Sequence, residues 1–183
     1  YQSDYNMFWE DAVFGNEELD SFSPDIILIH TTCRNISGFS DSLINDESVI
    51  NERINDEFNK FKTMWTSLYS KFSCPIIQNN FELPLYRYLG NADFSNINGY
   101  SYYINKLTML FGEYARNNNG FYINDINYLA SCIGLEKWHN AQAWCMYKYA
   151  LSTDIIPEFA YNLSNIIKAI YGKNKKVIAL DLD

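Results

Sequence analysis

Several things are scarce in this sequence, and each scarcity removes a class of function. Only His30 and His139 represent histidine, and the four cysteines (Cys33, Cys74, Cys132 and Cys145) form no CxxC pair, so a zinc site has no ligand set. The same spacing reads as buried free thiols kept reduced in a cytoplasmic setting. Lysine and arginine total 14 against 22 acids, giving a net charge of −8 and an isoelectric point near 4.7. Nucleic-acid surfaces need clustered cations, and anionic membranes attract them, so neither partner is expected. No apolar run approaches the ~20 residues of a membrane span, and no signal peptide or internal repeat is visible. The chain opens on Tyr1 rather than Met, from which a longer natural chain is expected.

What is present is a core. The 183 residues are 48% hydrophobic and 17% aromatic, enough for one packed domain or one domain plus the start of another. Pro24-Asp25 opens the apolar run Ile26–Ile29, expected to be a fully buried strand with the polar end His30-Thr31-Thr32-Cys33-Arg34-Asn35. Ile50, Ile54, Phe58, Phe61, Trp65, Leu68 and Phe72 recur at steps of three and four, which predicts an amphipathic helix over 48–72. Cys74-Pro75 stops it and starts a second strand, Ile76-Ile77-Gln78, ending in Asn79-Asn80. Tyr100, Ile104, Leu107, Phe111 and Tyr114 predict another long helix, closed by Asn117-Asn118-Asn119-Gly120. A third strand, Phe121–Ile123, leads to Asn124, Asp125 and Asn127. Ile156, Phe159, Leu163, Ile166 and Ile170 mark a last helix, with Pro157 tolerated in its first turn.

Strands alternating with helices imply right-handed βαβ units, hence a three-layer α/β/α sandwich on a mostly parallel sheet. Parallel strands bring their carboxyl ends to one edge, where such sheets place ligands. That edge makes Thr31, Thr32, Arg34, Asn35, Asn79, Asn80, Asp125 and Asn127 a candidate ligand crevice, with Arg34 its strongest anion binder. Threonine and asparagine are equally what loops need for caps and turns.

The chain ends on Val177-Ile178-Ala179-Leu180-Asp181-Leu182-Asp183, an apolar strand pattern running into two aspartates one residue apart. Carboxylates so placed repel unless a cation or a shared proton separates them. The alternative reading is a strand that ends in solvated acids.

The terminal run resembles the first motif of haloacid-dehalogenase-type (HAD) phosphotransferases. That resemblance implies Asp181 as the nucleophile that takes up a phosphoryl group and Asp183 as general acid/base. It also implies Mg²⁺ held by a side-chain oxygen of Asp181 and the main-chain carbonyl of Asp183. The α/β layout resembles SGNH-type esterases, with a flavodoxin-like strand order, but the Gly-Asp-Ser turn of that family is absent. Where those esterases carry Gly-x-Asn-Asp, this chain reads Thr32-Cys33-Arg34-Asn35, and no histidine precedes the last helix. Asp4-Tyr5-Asn6, Pro24-Asp25, Gln78-Asn79-Asn80-Phe81-Glu82-Leu83-Pro84, Gly90-Asn91, the segment Gly134 to Trp138 and Trp144 follow one another in the order seen in FkbH-like proteins. In these an SGNH-like domain runs directly into a HAD domain of subfamily IIIC.

The resemblance implies residues 1–172 as an SGNH-like N-terminal domain incomplete at its N-terminus, and 173–183 as the first strand of the HAD-like domain. It further implies a non-catalytic domain that positions substrate or carrier protein in a magnesium-dependent phosphatase or glyceryl transferase. The transferase loads a three-carbon glyceryl unit from a phosphorylated glycerate onto an acyl carrier protein. On this reading residues 1–183 alone have no phosphatase or acyl-transfer activity, because everything else the chemistry needs lies beyond them. Two other readings stay open, a stand-alone SGNH-like binding domain and a surviving SGNH esterase. The first strand of the SGNH-like sheet, normally central, is expected upstream of Tyr1. Its absence would leave a gap in the sheet, unless Val177–Leu180 pairs there.

Overall fold

The structure is a computed structural model that describes residues 1–40 and 42–173. The expected terminal strand with Asp181 and Asp183 lies outside the described residues. The chain divides into two compact units, Tyr1–Glu136 and Lys137 onward.

The first unit holds helices α1 (Phe8–Phe14), α2 (Glu17–Phe22), α3 (Glu47–Phe72), α4 (Tyr100–Asn117) and α5 (Ile126–Ile133), with strands β1 (Ile27–Ile29), β2 (Ile76–Asn79) and β3 (Phe121–Asn124). The strands form one parallel sheet in the order β1-β2-β3, with Ile27, Leu28 and Ile29 opposite Ile76, Ile77 and Gln78. Ile76 to Asn79 in turn lie opposite Phe121 to Asn124. The chain is thus an α/β protein with an all-parallel sheet among its described residues, as the βαβ pattern requires. The expected gap does not fall between these strands, which are direct neighbours.

Each boundary has a local cause. Asp46 caps α3 by accepting from the Ser48 N–H at 2.9 Å. The helix ends where Ser73 turns left-handed (φ 50°), one residue before Cys74-Pro75. At the start of α4 the backbone passes so close to the preceding turn that a Cβ on Gly99 would lie 1.8 Å from the Asp93 carbonyl oxygen.

The core lies between the sheet and the pair α3–α4. Ile50, Ile54, Phe61, Met64, Trp65 and Leu68 face inward from α3, and Tyr103, Ile104, Leu107 and Phe111 from α4. Phe58 and Phe72, expected on the same stripe, are only partly buried at its margin, whereas Glu57 is buried beside it. Trp65 packs against Phe111 (ring centroids 4.8 Å), Phe121 (4.6 Å) and Tyr114 (4.7 Å). Aromatic edges meeting faces add to the area they remove from water.

β1 departs from its expected full burial. Leu28 is 41% exposed, while Ile77 opposite it on β2 is fully buried. In a parallel pair alternate residues direct their main-chain groups at the neighbour. Ile27 donates its N–H to the Pro75 carbonyl at 2.9 Å, so Leu28 directs its own N–H and C=O away from β2. Cys33 and Cys74 are buried as expected, but Cys132 and Cys145 are exposed.

The second unit contains the end of α6 (Leu135–Trp138), α7 (Ala141–Tyr147) and α8 (Ile156–Ile170). Asn140 caps α7, and Ser152 returns to donate its N–H to the Trp138 carbonyl at 2.8 Å. Pro157 sits in the first turn of α8, where no intrahelical bond needs its N–H. No described helix is long and apolar enough to cross a membrane.

Gly99→Ala should destabilise the protein by about 1–3 kcal/mol or more, because the obstacle is backbone that cannot swing aside. A fall in the urea midpoint with an unchanged slope would establish this, and an unchanged midpoint would contradict it.

Candidate functional site

The three strand ends do meet at one edge, and most of the predicted residues there are turned inward. Thr31, Thr32, Asn79 and Asn80 are buried, Asn35 and Asn127 are half-buried, and Arg34 and Asp125 are exposed. Burial of so many amides and hydroxyls is tolerable only when their hydrogen bonds are met internally.

They are met through a chain of amides. Gln78, in the centre of the sheet, accepts from the Trp65 indole N–H at 2.9 Å and donates to the Thr31 hydroxyl at 2.7 Å and the Asn79 carbonyl at 2.8 Å. Asn79 accepts from the Asn124 side chain at 2.7 Å and donates to the Thr31 carbonyl at 3.3 Å. Its amide also donates to His30 Nδ1 at 2.7 Å. That bond requires a neutral imidazole with its proton on Nε2, and desolvation of the ring lowers the His30 pKa, which favours the same state.

Two local groups complete the edge. Thr32 and Asn35 form a reciprocal cap, with the Thr32 N–H donating to Asn35 Oδ1 at 2.9 Å and the Arg34 N–H to the Thr32 hydroxyl at 3.3 Å. Asn80 donates to Asp125 at 2.7 Å and accepts from the Asn127 N–H at 3.2 Å, tying the end of β2 to the start of α5. Asp125 also accepts from the Tyr128 N–H at 3.0 Å, as the N-cap of that helix.

One buried acid was not among the predicted residues. Glu82 is completely buried just beyond β2, and it accepts from the Cys33 N–H at 3.2 Å and the Cys33 thiol at 3.4 Å. Desolvation raises its pKa to about 7, against the hydrogen bonds from Cys33 that favour the charged form. Burial and the adjacent carboxylate push the Cys33 thiol well above its usual range, so it is held as a thiol and is no nucleophile. The Tyr100 hydroxyl donates to the Cys33 carbonyl and clamps the same turn from α4. An acid between Phe81 and Leu83 was the available signal for this site, and Gln78 inside an apolar strand was the signal for the amide chain.

Chemically, the edge presents His30, Arg34 and Asp125 to solvent above a framework of buried amides and hydroxyls that bond one another. A cavity of ≈ 380 Å³ lies beside the loop that follows, lined by Ser37, Gly38, Phe39, Arg53, Asp56, Glu57 and Lys60, none of them a predicted site residue. No group of three or more His, Cys, Asp or Glu side chains among the described residues could hold a metal ion. The predicted metal and catalytic pair, Asp181 and Asp183, lies outside the described residues.

A parallel α/β domain with a self-satisfied strand edge is therefore the class defined by this geometry. The family model for the FkbH N-terminal domain matches residues 1–168, and the chain belongs to that family. Among solved structures, it superposes on the N-terminal part of the Bacteroides fragilis protein BF1531, which contains a phosphatase domain and was crystallised with Mg. The TM-score is 0.80 at 18% identity, over 96% of this chain and 45% of that one, so the likeness is one of fold and the chain spans less than half of that protein. A search of curated protein sequences gives no match.

Glu82 sets a pH dependence whose sign can be worked out. Its folded pKa lies above the ordinary 4.5, so its contribution is fully present below 4.5 and is lost as pH rises through about 7. His30 acts oppositely: its folded pKa is lowered from 6.5, so it removes stability as pH falls through that value. Between pH ~5 and ~8, Glu82→Gln should abolish a loss of up to about 3 kcal/mol seen in the parent protein. Equal pH slopes in the two proteins, read by urea titration, would refute the assignment.

Proposed function

We propose that this chain is the non-catalytic N-terminal domain of an FkbH-like enzyme with HAD-type phosphoryl chemistry, and that it positions a substrate or carrier protein for the domain that follows. The observation that carries the proposal is the FkbH N-terminal match over residues 1–168, with the run Asp181-Leu182-Asp183 beginning thirteen residues later. The strand edge supports the non-catalytic part. Its buried side chains bond one another, its thiol is held protonated, and the predicted site residues include no serine to serve as an esterase nucleophile.

In the intact protein, Asp181 attacks the phosphoryl group and Asp183 protonates the leaving oxygen. The Asp181 carboxylate and the Asp183 carbonyl are hard oxygen donors of the kind Mg²⁺ takes, and the bound ion would supply charge stabilisation at the phosphoryl oxygens. The magnesium in the BF1531 crystals supports this choice of ion. The acceptor is the thiol of an acyl carrier protein, which takes the glyceryl acyl group from a phosphorylated glycerate whose carboxyl is activated as an acyl phosphate. Inorganic phosphate is the leaving group of that step, while the phosphoryl group taken up by Asp181 is the ester phosphate; the setting is the cytoplasm.

The test compares the full-length protein with residues 1–183. The full chain should release phosphate from a phosphorylated three-carbon acid with Mg²⁺ present, and should lose this on chelation and in Asp181→Asn. The fragment should show neither phosphate release nor labelling by a fluorophosphonate. Phosphate-ester turnover by the fragment alone, or its covalent labelling, would overturn the proposal.

A further inference from the structure

The run Asn117-Asn118-Asn119-Gly120 carries more asparagine than the end of α4 requires. Asn118 donates its amide to the Tyr114 carbonyl at 2.7 Å, and its own carbonyl accepts from the Phe121 N–H at 3.3 Å. Gly120 is left-handed (φ 82°), and its carbonyl accepts from the Ile76 N–H at 2.9 Å. These bonds fasten the turn to α4, β2 and β3. The side chains of Asn117 and Asn119 take no part in them, and both residues are exposed.

Both asparagines line a cavity of ≈ 380 Å³ between the last turns of α3 and α4. It lies at the amino end of β2 and β3, the opposite end of the sheet from the predicted crevice. Its volume falls within the range of small-molecule sites. Trp65, Ile76 and Phe121 back it and are themselves buried. The Tyr114 ring packs on Trp65 and Phe121 at centroid distances of 4.7 and 4.9 Å, which fixes its place in the wall. Tyr69 is 50% exposed, and a Cβ on Gly120 would lie 3.5 Å from its ring, so that ring borders the cavity beside bare main chain.

Charge is what this cavity lacks. One residue in five of the chain is charged, yet no lysine, arginine, aspartate or glutamate lines the space. The polar groups present are amides and hydroxyls. Among the described residues, the side chains of Ser70, Asn117 and Asn119 and the hydroxyls of Tyr69 and Tyr114 bond to no other protein group. An ionic ligand would give up hydration here without meeting a counter-charge. A wholly apolar one would strip water from the amides and return no hydrogen bond. A ring with a C–H face and hydroxyls at its edge meets both conditions. Tyrosine faces pack apolar surface, and an amide, both donor and acceptor, matches a hydroxyl that is both as well.

We propose that the cavity bordered by Tyr69, Ser70, Tyr114, Asn117 and Asn119 binds an uncharged sugar ring, with a C–H face against tyrosine and hydroxyls on the two amides. The site goes beyond the positioning role proposed above and does not depend on it, because it lies at the other end of the sheet.

The experiment is saturation-transfer NMR on the full-length protein with the methyl glycosides of glucose, galactose, mannose and N-acetylglucosamine. At least one glycoside should receive saturation, most strongly at the protons of one ring face. Tyr69→Ala should weaken its binding by about three- to tenfold. Asn117→Ala/Asn119→Ala should weaken it by about tenfold. Both amides are exposed, so the asparagine variant should keep the parent circular dichroism and urea midpoint even if the loss of Tyr69 disturbs α3. Glucose 6-phosphate should bind no better than methyl glucoside. A parent protein that gives no transfer to any glycoside would overturn the site, as would a folded asparagine variant that binds like the parent. Tighter binding of glucose 6-phosphate would overturn the uncharged class, and tighter binding of adenosine than of every glycoside would overturn the sugar in favour of a flat aromatic ring.

Discussion

Everything at the carboxyl edge of the sheet depends on one requirement, that the amides of Gln78, Asn79 and Asn124 find partners without water. A buried amide left unpaired costs on the order of 1–3 kcal/mol, so each of these side chains must be met by a group in a definite place. Trp65 on α3 supplies one such group, Thr31 another and the strand neighbours the rest. The consequence is that three loops separated by more than forty residues in sequence are held to a common geometry. The Glu82–Cys33–Tyr100 contact extends the same frame into the loops after β1 and β2 and the start of α4.

This gives the strand edge a different character from the one a parallel sheet suggests. Edges of this kind usually hold ligands because polar groups there are unspent. Here threonine, asparagine and glutamine make a framework, and the side chains it leaves exposed to solvent include His30, Arg34 and Asp125. The raised pKa of Glu82 fits a structural acid that trades hydration for two short-range donors, and no reacting atom need be invoked for it.

How much of this was legible beforehand follows from what each pattern encodes. Period-3.6 spacing marked α3 and α4 because both bury one stripe, and Pro75 and Gly120 marked their ends for backbone reasons. Burial of Ile26–Ile29 was overestimated, since an apolar run does not reveal whether a strand has a neighbour on both sides, and Leu28 has one on its β2 side alone among the described strands. The crevice residues were placed at the correct end of the strands from topology. Their inward orientation was not legible, because an asparagine serving a ladder and one serving a ligand look identical in sequence. Cys132 and Cys145 illustrate the same limit: cysteine's general preference for the interior does not decide individual positions on short helices.

Among the described residues no strand pairs with the outer side of β1, which has a practical meaning for anyone handling the isolated domain. Leu28 offers an outward main-chain donor and acceptor beside an uncovered apolar side chain, which is the template that recruits strands from other molecules. The strand is only three residues long, which limits the reach of such recruitment. Even so, prolonged concentration should favour slow, sheet-mediated clumping, and a lysine introduced at Leu28 would act as a gatekeeper against it.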